Sequence, residues 1–134
     1  MSQSVPAEQI FPLKNTSGAD RLKGTVVILK NVAGEFTIPA GDATDHWLGV
    51  LLHDCKQNEW GNVAVGPCRV DVLAGGALAT IGGKLMATNA GKTAAWAAGA
   101  GVNRAVVGST LTAASGADVL HEVALAAPDT VHQG

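Results

Sequence analysis

Short apolar runs, rich in β-branched residues and separated by Gly, Asn, Asp and Pro, constrain this chain more than any other feature. The clearest runs are TVVILK, EFTIP, WLGVLL, NVAVG, CRVDVLA, AVVGSTL and VLHEVALA. Runs of this length between turn residues are typical of strands. The Ala-rich stretch TAAWAAGAG is broken by glycines and lacks a polar face, which leaves a short helix there as the less favoured alternative. The pattern predicts a mainly β domain, built as a compact barrel or sandwich.

The chain has 134 residues, which is enough for one compact domain. Residues 1–23 carry Pro6 and Pro12 without a regular apolar period, so we predict an extended N-terminal arm there. Residues 24–127 are predicted to form the β domain, and residues 128–134 a flexible tail.

A faint internal repeat relates residues 29–66 to residues 86–126. The corresponding residues are Gly34 and Gly91, Gly41 and Gly99, Gly49 and Gly108, and Val63 and Val123. Their spacing grows by one residue from each pair to the next, as insertions in loops would produce. The repeat predicts two similar halves, with the Asn-Ala-Gly-Lys segment at 89–92 as a hairpin turn of the second half.

The composition disfavours charged partners. Hydrophobic residues make up 47% of the chain, aromatic residues only 4% and charged residues 15%, with a net charge of −2. There is no basic surface for nucleic acid, no cationic face for a membrane and no apolar run of spanning length. The start of the chain lacks a signal-peptide pattern, which favours synthesis in the cytoplasm. So little polar surface favours burial of part of the exterior against another chain.

Two glycine-containing segments resemble nucleotide-binding motifs without matching them. A phosphate-binding loop ending at Gly91-Lys92-Thr93 would need its first glycine at position 86, where the chain has Met86. A dinucleotide motif starting at Gly99 would need its third glycine where the chain has Arg104. We therefore expect a turn, a loop between strands and no cofactor.

The side chains that could carry metal or catalytic chemistry are scattered. His46, His53, His121 and His132 show no metal-ligand spacing, and Cys55 and Cys68 show no Cys-x-x-Cys spacing. His121 lies in the alternating run VLHEVAL and is expected to be a hydrogen-bonded core histidine, with both cysteines as buried free thiols. No nucleophile and base can be paired from the sequence, so we predict that the chain is not an enzyme.

Tryptophans are the most distinctive large side chains in a sequence so poor in aromatics. Trp47 and Trp96 occupy loosely equivalent places in the two repeats and are predicted to fill the core. Trp60, in the polar segment KQNEWGN, is predicted to lie exposed at an interface.

The order of these elements resembles that of the capsid decoration proteins of tailed bacteriophages, also called head-stabilising or cement proteins. The resemblance covers residues 24–126 and is best over VDVLAGGALATIGGKLMA, residues 70–87. It implies a β domain without cofactor or catalytic residues that docks on the outside of the capsid of a virion. The implied partners are the major capsid protein and further copies of the chain, with a homotrimer favoured.

By the same resemblance, an N-terminal arm would be the docking element. The candidate contacts with the capsid or with another subunit are Val5, Ile10, Phe11 and Leu13 in the arm, together with Trp60. Two other classes stay open: a glycan- or surface-binding module, for which aromatics should cluster on one exposed face, and, less favoured, a small hydrolase.

Overall fold

The structure, a computed structural model, describes residues 5–39, 49–88, 90–97, 103–128 and 131–133. These residues form twelve strands and one 3₁₀ turn, Ala7–Gln9. The strands are β1 (Ile10–Asn15), β2 (Val26–Leu29), β3 (Glu35–Thr37), β4 (Gly49–Leu51), β5 (Trp60–Ala64), β6 (Cys68–Leu73), β7 (Lys84–Ala87), β8 (Thr93–Ala95), β9 (Asn103–Ala105), β10 (Gly108–Thr110), β11 (Leu120–Leu125) and β12 (Val131–Gln133). The prediction of a mainly β domain is confirmed.

Strands β1 to β5 form a closed barrel, in the order β1-β3-β2-β4-β5. Strand β1 closes it, because β1 pairs antiparallel with β5 on one side and parallel with β3 on the other. The side chains that fill this first barrel are Leu13, Val27, Phe36, Leu51, Cys55 and Val63. Each of the five strands supplies one of them, and Cys55 comes from the isolated bridge with Arg21 between β4 and β5.

Five further strands form a second sheet, in the order β6-β11-β10-β7-β8. Its two edge strands approach each other at one end. There Ala74, which follows β6, forms a parallel bridge with Thr93, and the Gly75 N–H donates to the Thr93 carbonyl over 2.7 Å. We call this contact between the ends of β6 and β8 the seam.

The two sheets share one strand order. Strands β6, β7, β8, β10 and β11 occupy the places that β1, β2, β3, β4 and β5 hold in the first barrel. Two isolated bridges also correspond, Arg21 with Cys55 in one half and Leu78 with Ala114 in the other. This arrangement is what a duplicated unit would give, and it extends the predicted similarity to β1 and β6, which lie outside the repeat boundaries drawn from the sequence.

Backbone conformations correspond as well. Gly34 and Gly91, in the β2–β3 and β7–β8 hairpins, have φ of +79° and +73°. Asn58 and Asp118, before β5 and β11, have φ of 68° and 64°. Asparagine, aspartate and glycine adopt this left-handed conformation at the lowest steric cost, which explains their presence at equivalent turns.

The two halves share a core and are joined by backbone hydrogen bonds. Val26, Val50 and Ala64 lie on the outer face of the first barrel and belong to the same buried cluster as the interior of the second sheet. The Leu73 N–H donates to the Gly24 carbonyl over 2.9 Å, and the Val26 N–H donates to the Gly91 carbonyl over 2.7 Å. We call this pair of bonds the junction.

The junction explains why the second sheet is less closed than the first barrel. In the first barrel the Lys14 N–H donates directly to the Gly34 carbonyl over 2.8 Å. In the second half the corresponding groups belong to Leu73 and Gly91, and both bond to residues of the first barrel instead. The start of β2 thus lies between the edges of β6 and β8.

The predicted N-terminal arm requires a correction. Residues 10–15, inside the range predicted as an arm, form β1 and complete the first barrel. The sequence of β1 hides this because Pro12 interrupts the strand pattern. Pro12 is exposed, and only alternate residues, Leu13 and Asn15, are buried.

The predicted tail is corrected in a similar way. Residues Val131–Gln133 form β12 and pair antiparallel with Asn103–Ala105, so this part of the tail is a strand. The pairing joins segments that are distant in sequence, and three residues are too few to show a strand period.

Candidate interface surface

Trp60 lies on the outside of the first barrel, where the sequence predicted an exposed side chain. It begins β5, in which exposed and buried residues alternate from Trp60 to Val63, and its side chain is 61% exposed. Lys14 of β1 is its cross-strand partner, and Lys14 pairs in turn with Glu35 of β3. The indole lies near Gly34, where a methyl group in place of the glycine hydrogen would be 3.7 Å from Cη2 of Trp60.

The surface around Trp60 combines an aromatic ring with charged neighbours. Lys30 approaches Glu35 at 4.0 Å, and the Lys30 ammonium also donates to the Thr16 carbonyl over 3.1 Å. We call the group formed by Lys14, Gly34, Glu35 and Trp60 the Trp60 surface. Tryptophan is enriched among the residues that dominate binding at protein–protein interfaces, where polar residues form the rim around it.

The other predicted contact residues, those of the arm, differ in how far they are exposed. Phe11 is 46% exposed, and Ile10 and Val5 are half-buried. Leu13 is buried inside the first barrel and offers no surface to a partner, so it is no longer a candidate contact. Val5 packs against the shared core of the two halves.

Phe11 and Trp60 do not form one aromatic face. Phe11 pairs with Val63 across the β1–β5 ladder, and Val63 faces the barrel interior, whereas Trp60 faces outward. Successive side chains along a strand point to opposite faces of the sheet, so residues 60 and 63 lie on different faces. The clustered aromatics expected of a glycan-binding module are therefore not found among the described residues.

Several apolar side chains are exposed without having been predicted so from the sequence. They are Leu22, Leu29, Val32, Ile81, Leu111 and Leu120. Each stands singly between polar residues or at the end of a strand, and the sequence pattern does not separate such positions from buried ones.

The correspondence of the two halves distinguishes the Trp60 surface from these other positions. Trp60 begins β5 as Leu120 begins β11. Leu120 lies directly against Gly24 of the first barrel, where a Cβ would be 2.5 Å from Cδ2 of Leu120. The position of Leu120 thus contributes to the contact between the halves, while the equivalent position in the first barrel carries an exposed tryptophan.

Of Trp47 and Trp96, which were predicted to fill the core, the structure describes only Trp96. Trp96 is half-buried rather than a fully buried filler, and its backbone N–H donates to the Lys84 carbonyl over 2.9 Å. Trp47 lies outside the described residues, as does His46. The side chain of His132 is also outside them.

His121 is the buried histidine that the sequence predicted. It is 2% exposed, and its ring nitrogens lie 3.2 Å from the Thr112 carbonyl and 3.2 Å from Oγ1 of Thr93. Burial lowers the pKa of His121, and the Thr112 carbonyl and the charge of Asp71 raise it in part. His53 is exposed, and its Nε2 accepts the Asn62 N–H over 3.0 Å.

Both cysteines are free thiols. Cys55 is buried in the first barrel, whereas Cys68 is only half-buried, which corrects the expectation of two buried thiols. Burial raises the pKa of both thiols, and Glu59 and Asp20 raise that of Cys55 further. A raised pKa keeps a thiol protonated and poorly nucleophilic at neutral pH.

The described residues include no group of three or more His, Cys, Asp or Glu side chains that could hold a metal ion. None of the helices formed by these residues is long and apolar enough to cross a membrane.

The Gly91 turn joins β7 to β8, with the Gly91 N–H donating to the Thr88 carbonyl over 3.0 Å. A strand follows this turn, so it is a hairpin turn, as predicted, and lacks the helix of a phosphate-binding loop.

Fold and surface together define a small β-barrel protein of two joined halves with an exposed tryptophan on its first barrel. The structure is similar to the solved head fiber gp8.5 N base of bacteriophage phi29, with a TM-score of 0.64 and 14% sequence identity. The similarity covers 92% of this chain and 98% of the phi29 chain. It confirms the predicted resemblance to phage head proteins at the level of the fold.

No family model and no curated protein matches the chain in sequence.

Proposed function

We propose that this chain is a structural protein of a bacteriophage head that docks on the outside of the assembled capsid and stabilises it. The observation that carries the proposal is the fold shared with the head fiber gp8.5 N base of phi29 over nearly the whole chain. The proposed role needs no catalytic residue and no cofactor. The chain would be made in the host cytoplasm and reside on the exterior of the virion.

The physical basis of stabilisation is selective binding. A protein that binds the assembled capsid, but not free capsid subunits, shifts the equilibrium toward the assembled state by mass action. Many copies on one particle act together, because symmetric arrangement raises the effective concentration of each contact. The proposed partners are the major capsid protein and further copies of this chain, with a trimer as the proposed oligomer.

The Trp60 surface is the proposed contact with the capsid. Exposed tryptophans are enriched among the residues that dominate binding energy at interfaces. Support also comes from the equivalence of Trp60 with Leu120. Leu120 belongs to the second half and contacts Gly24 of the first barrel, so the same position already serves as a contact between barrels. Phe11, which is exposed on β1, is a second candidate contact.

The number of copies in purified particles tests the proposal directly. We expect a fixed ratio to the major capsid protein, measured by quantitative mass spectrometry, and lower thermal stability of heads that lack the chain. If the chain is absent from particles, the proposal is wrong. If it is present but heads without it are equally stable, the stabilising role is wrong and a structural role is retained.

A substitution pair tests the Trp60 surface. Trp60→Ala should weaken binding to heads that lack the chain by about 30-fold or more, because truncation of a central aromatic contact costs about 2 kcal/mol or more. Ile81→Ala is the matched control, since Ile81 is also 61% exposed and lies in the second half. Equal binding of both variants and wild type, measured by co-sedimentation, would remove Trp60 from the interface.

A further inference from the structure

The hairpin between β7 and β8 docks against the first barrel and contributes one of the two bonds of the junction. Gly91 at its turn is buried, and a Cβ there would lie 2.7 Å from Cγ2 of Thr25 and 3.2 Å from Cγ2 of Ile38. The Gly91 carbonyl accepts the Val26 N–H over 2.7 Å. The first barrel thus has a defined place, at Thr25, Val26 and Ile38, that receives a hairpin turn.

The equivalent place in the second half is a cavity. The ladders and backbone bonds of the two halves relate those three residues, in the same order, to Gly83, Lys84 and Ala95. All three line a cavity of about 170 Å³, together with the buried side chains of Leu78 and Leu85. Glycine and alanine, in place of threonine and isoleucine, enlarge this space. A cavity of about 150 Å³ can bind benzene, so there is room for an aliphatic side chain of a partner.

The hairpin between β2 and β3 is the equivalent of the docked hairpin, and its turn is exposed. We call residues 31–34 the hairpin tip. Gly34 corresponds to Gly91, Val32 is 50% exposed, and Ala33 is exposed as well. No residue of the hairpin tip lines the cavity in the same molecule. One chain therefore carries an exposed apolar tip and an apolar cavity of equivalent origin, and only a second copy can bring the two together.

Contact between copies has to use side chains. The Gly34 carbonyl already accepts the Lys14 N–H, because the first barrel is closed. The backbone bonds of the junction are therefore not repeated between copies, and the apolar residues of the hairpin tip would supply the contact.

Charges beside the two surfaces are complementary. At the junction, the Gly91 carbonyl bonds to Val26, whose equivalent is Lys84. A docked tip would therefore place Glu35, which follows its glycine, beside Lys84. Lys84 is exposed and forms no ion pair with the residues that the structure describes. Opposite charges at the rim of a contact favour association and fix its register.

We propose that copies of this chain bind head to tail, with the hairpin tip of one copy in the cavity of the second half of the next. Such a contact joins two different surfaces, so a free tip and a free cavity remain at the ends until a ring closes. A ring of three copies is the trimer of the proposed function. The place of that ring on a capsid rests on the proposed function, whereas the contact itself does not.

Analytical ultracentrifugation of the purified chain tests the contact without particles. Wild type should associate as its concentration rises, and a chain that stays monomeric at about 1 mM would overturn the proposal. Val32→Asp, which brings a charge into the cavity, should weaken association by about tenfold or more. Leu22→Asp is the matched control and should associate like wild type, because Leu22 is 57% exposed and lies outside both surfaces.

A second variant blocks the cavity instead of the tip. Ala95→Trp places a bulky side chain in the cavity and should weaken association as much as Val32→Asp does. Ala124→Trp, at an exposed alanine of β11 outside the cavity, is its control. Circular dichroism checks that each variant is folded. If Ala95→Trp does not fold, Lys84→Glu takes its place, since it repels Glu35 from the exposed rim of the cavity.

Mixing the two variants identifies the contact as head to tail. Val32→Asp keeps an intact cavity, and the cavity variant keeps an intact tip. An equimolar mixture should therefore form one-to-one dimers and nothing larger, as measured by native mass spectrometry. Mixing would not restore a contact between two identical surfaces. Absence of the mixed dimer, or association of either variant as strong as that of wild type, contradicts the proposal.

The same measurements separate this inference from the proposed function. A chain that associates in solution through the hairpin tip but is absent from particles would retain the contact and reject the role on the capsid. A chain that is present on particles but whose association ignores both substitutions would do the reverse.

Discussion

Single residues in this protein are constrained mainly by close packing between strands. Phe36 and Leu51 are completely buried in the first barrel, and among the described residues no other aromatic side chain accompanies Phe36 there. Where strands approach most closely, even a methyl group has no room. Gly49 and Gly108, at equivalent positions of β4 and β10, both face the carbonyl of a neighbouring strand.

Gly49→Ala should destabilise the protein strongly. The added Cβ would lie 2.0 Å from the Ala64 carbonyl oxygen, which is backbone and cannot move without disturbing β5. We expect a loss of about 2 kcal/mol or more in the free energy of unfolding, measured by urea denaturation. Gly116→Ala, where a Cβ meets nothing within 4 Å, should change it by less than about 0.5 kcal/mol. Similar values for the two variants would show that β4 and β5 are less closely packed.

Phe36→Ala should also destabilise the protein strongly, because it leaves a cavity in the first barrel. Removal of this buried ring should cost about 3–5 kcal/mol, enough to unfold a protein of marginal stability. Leu22→Ala, at a side chain that is 57% exposed, is the control and should leave the melting temperature almost unchanged. A small effect of Phe36→Ala in thermal denaturation would mean that the first barrel collapses around the missing ring.

His121 should make stability depend on pH in a defined direction. Its pKa in the folded protein is lowered from 6.5, chiefly by burial, so the unfolded chain takes up its proton first as the pH falls. The contribution of neutral His121 is complete above pH 6.5 and decreases as the pH falls toward its folded pKa. The difference between wild type and His121→Gln in urea denaturation between pH 8 and pH 5 should show this decrease. An identical pH dependence in the two proteins would show that His121 does not contribute to it.

Among the strands, β1 has the most decisive position. It pairs with β3 and β5, and closure of the first barrel depends on both pairings. Its interior face contributes Leu13 and also Asn15, whose side-chain amide donates to the Ala19 and Cys55 carbonyls over 3.0 Å each. A segment predicted to be a docking arm is therefore part of the fold.

Removal of residues 1–15 should abolish the fold of the first barrel. The loss of β1 exposes the interior and leaves edges of β3 and β5 unpaired, so we expect the cooperative thermal transition seen by circular dichroism to be lost. Phe11→Ser, which changes an exposed side chain of the same strand, is the control and should keep the transition. A shortened chain that melts like wild type would show that the barrel closes without β1.

At the scale of the whole molecule, the two halves form one cooperative unit at neutral pH. Val26, Val50 and Ala64 bury the outer face of the first barrel in the core of the second half, and the junction adds two backbone hydrogen bonds. At the corresponding places of the second half, Lys84 and Ala124 are exposed and Ser109 is half-buried. The apolar row on the first barrel is thus explained by its contact with the second half.

We expect both halves to unfold in a single transition at pH 7. NMR signals of the Val63 methyl groups report on the first barrel, and those of the Val123 methyl groups report on the second half. Their urea midpoints should coincide, and Val50→Ala should lower both together because Val50 contributes to the shared cluster. Two separate midpoints would show that the junction contributes little to stability.

Sequence alone determined the fold class and much of its local detail. The seven apolar runs correspond to β2, β3, β4, β5, β6, β10 and β11, because short β-branched runs between turn residues favour the extended conformation. It also determined the hairpin at Gly91, the buried state of His121 and the exposure of Trp60. These properties depend on neighbours in sequence, which is what a local pattern records.

Only the tertiary structure decided what depends on distant pairing. The role of β1 depends on strands β3 and β5, and the β9–β12 ladder joins segments too short to show a period. The burial of Leu13 and the contact of Leu120 with Gly24 follow from how barrels close and meet. Long-range contacts form because complementary surfaces exclude water together, and no short stretch of sequence contains both surfaces.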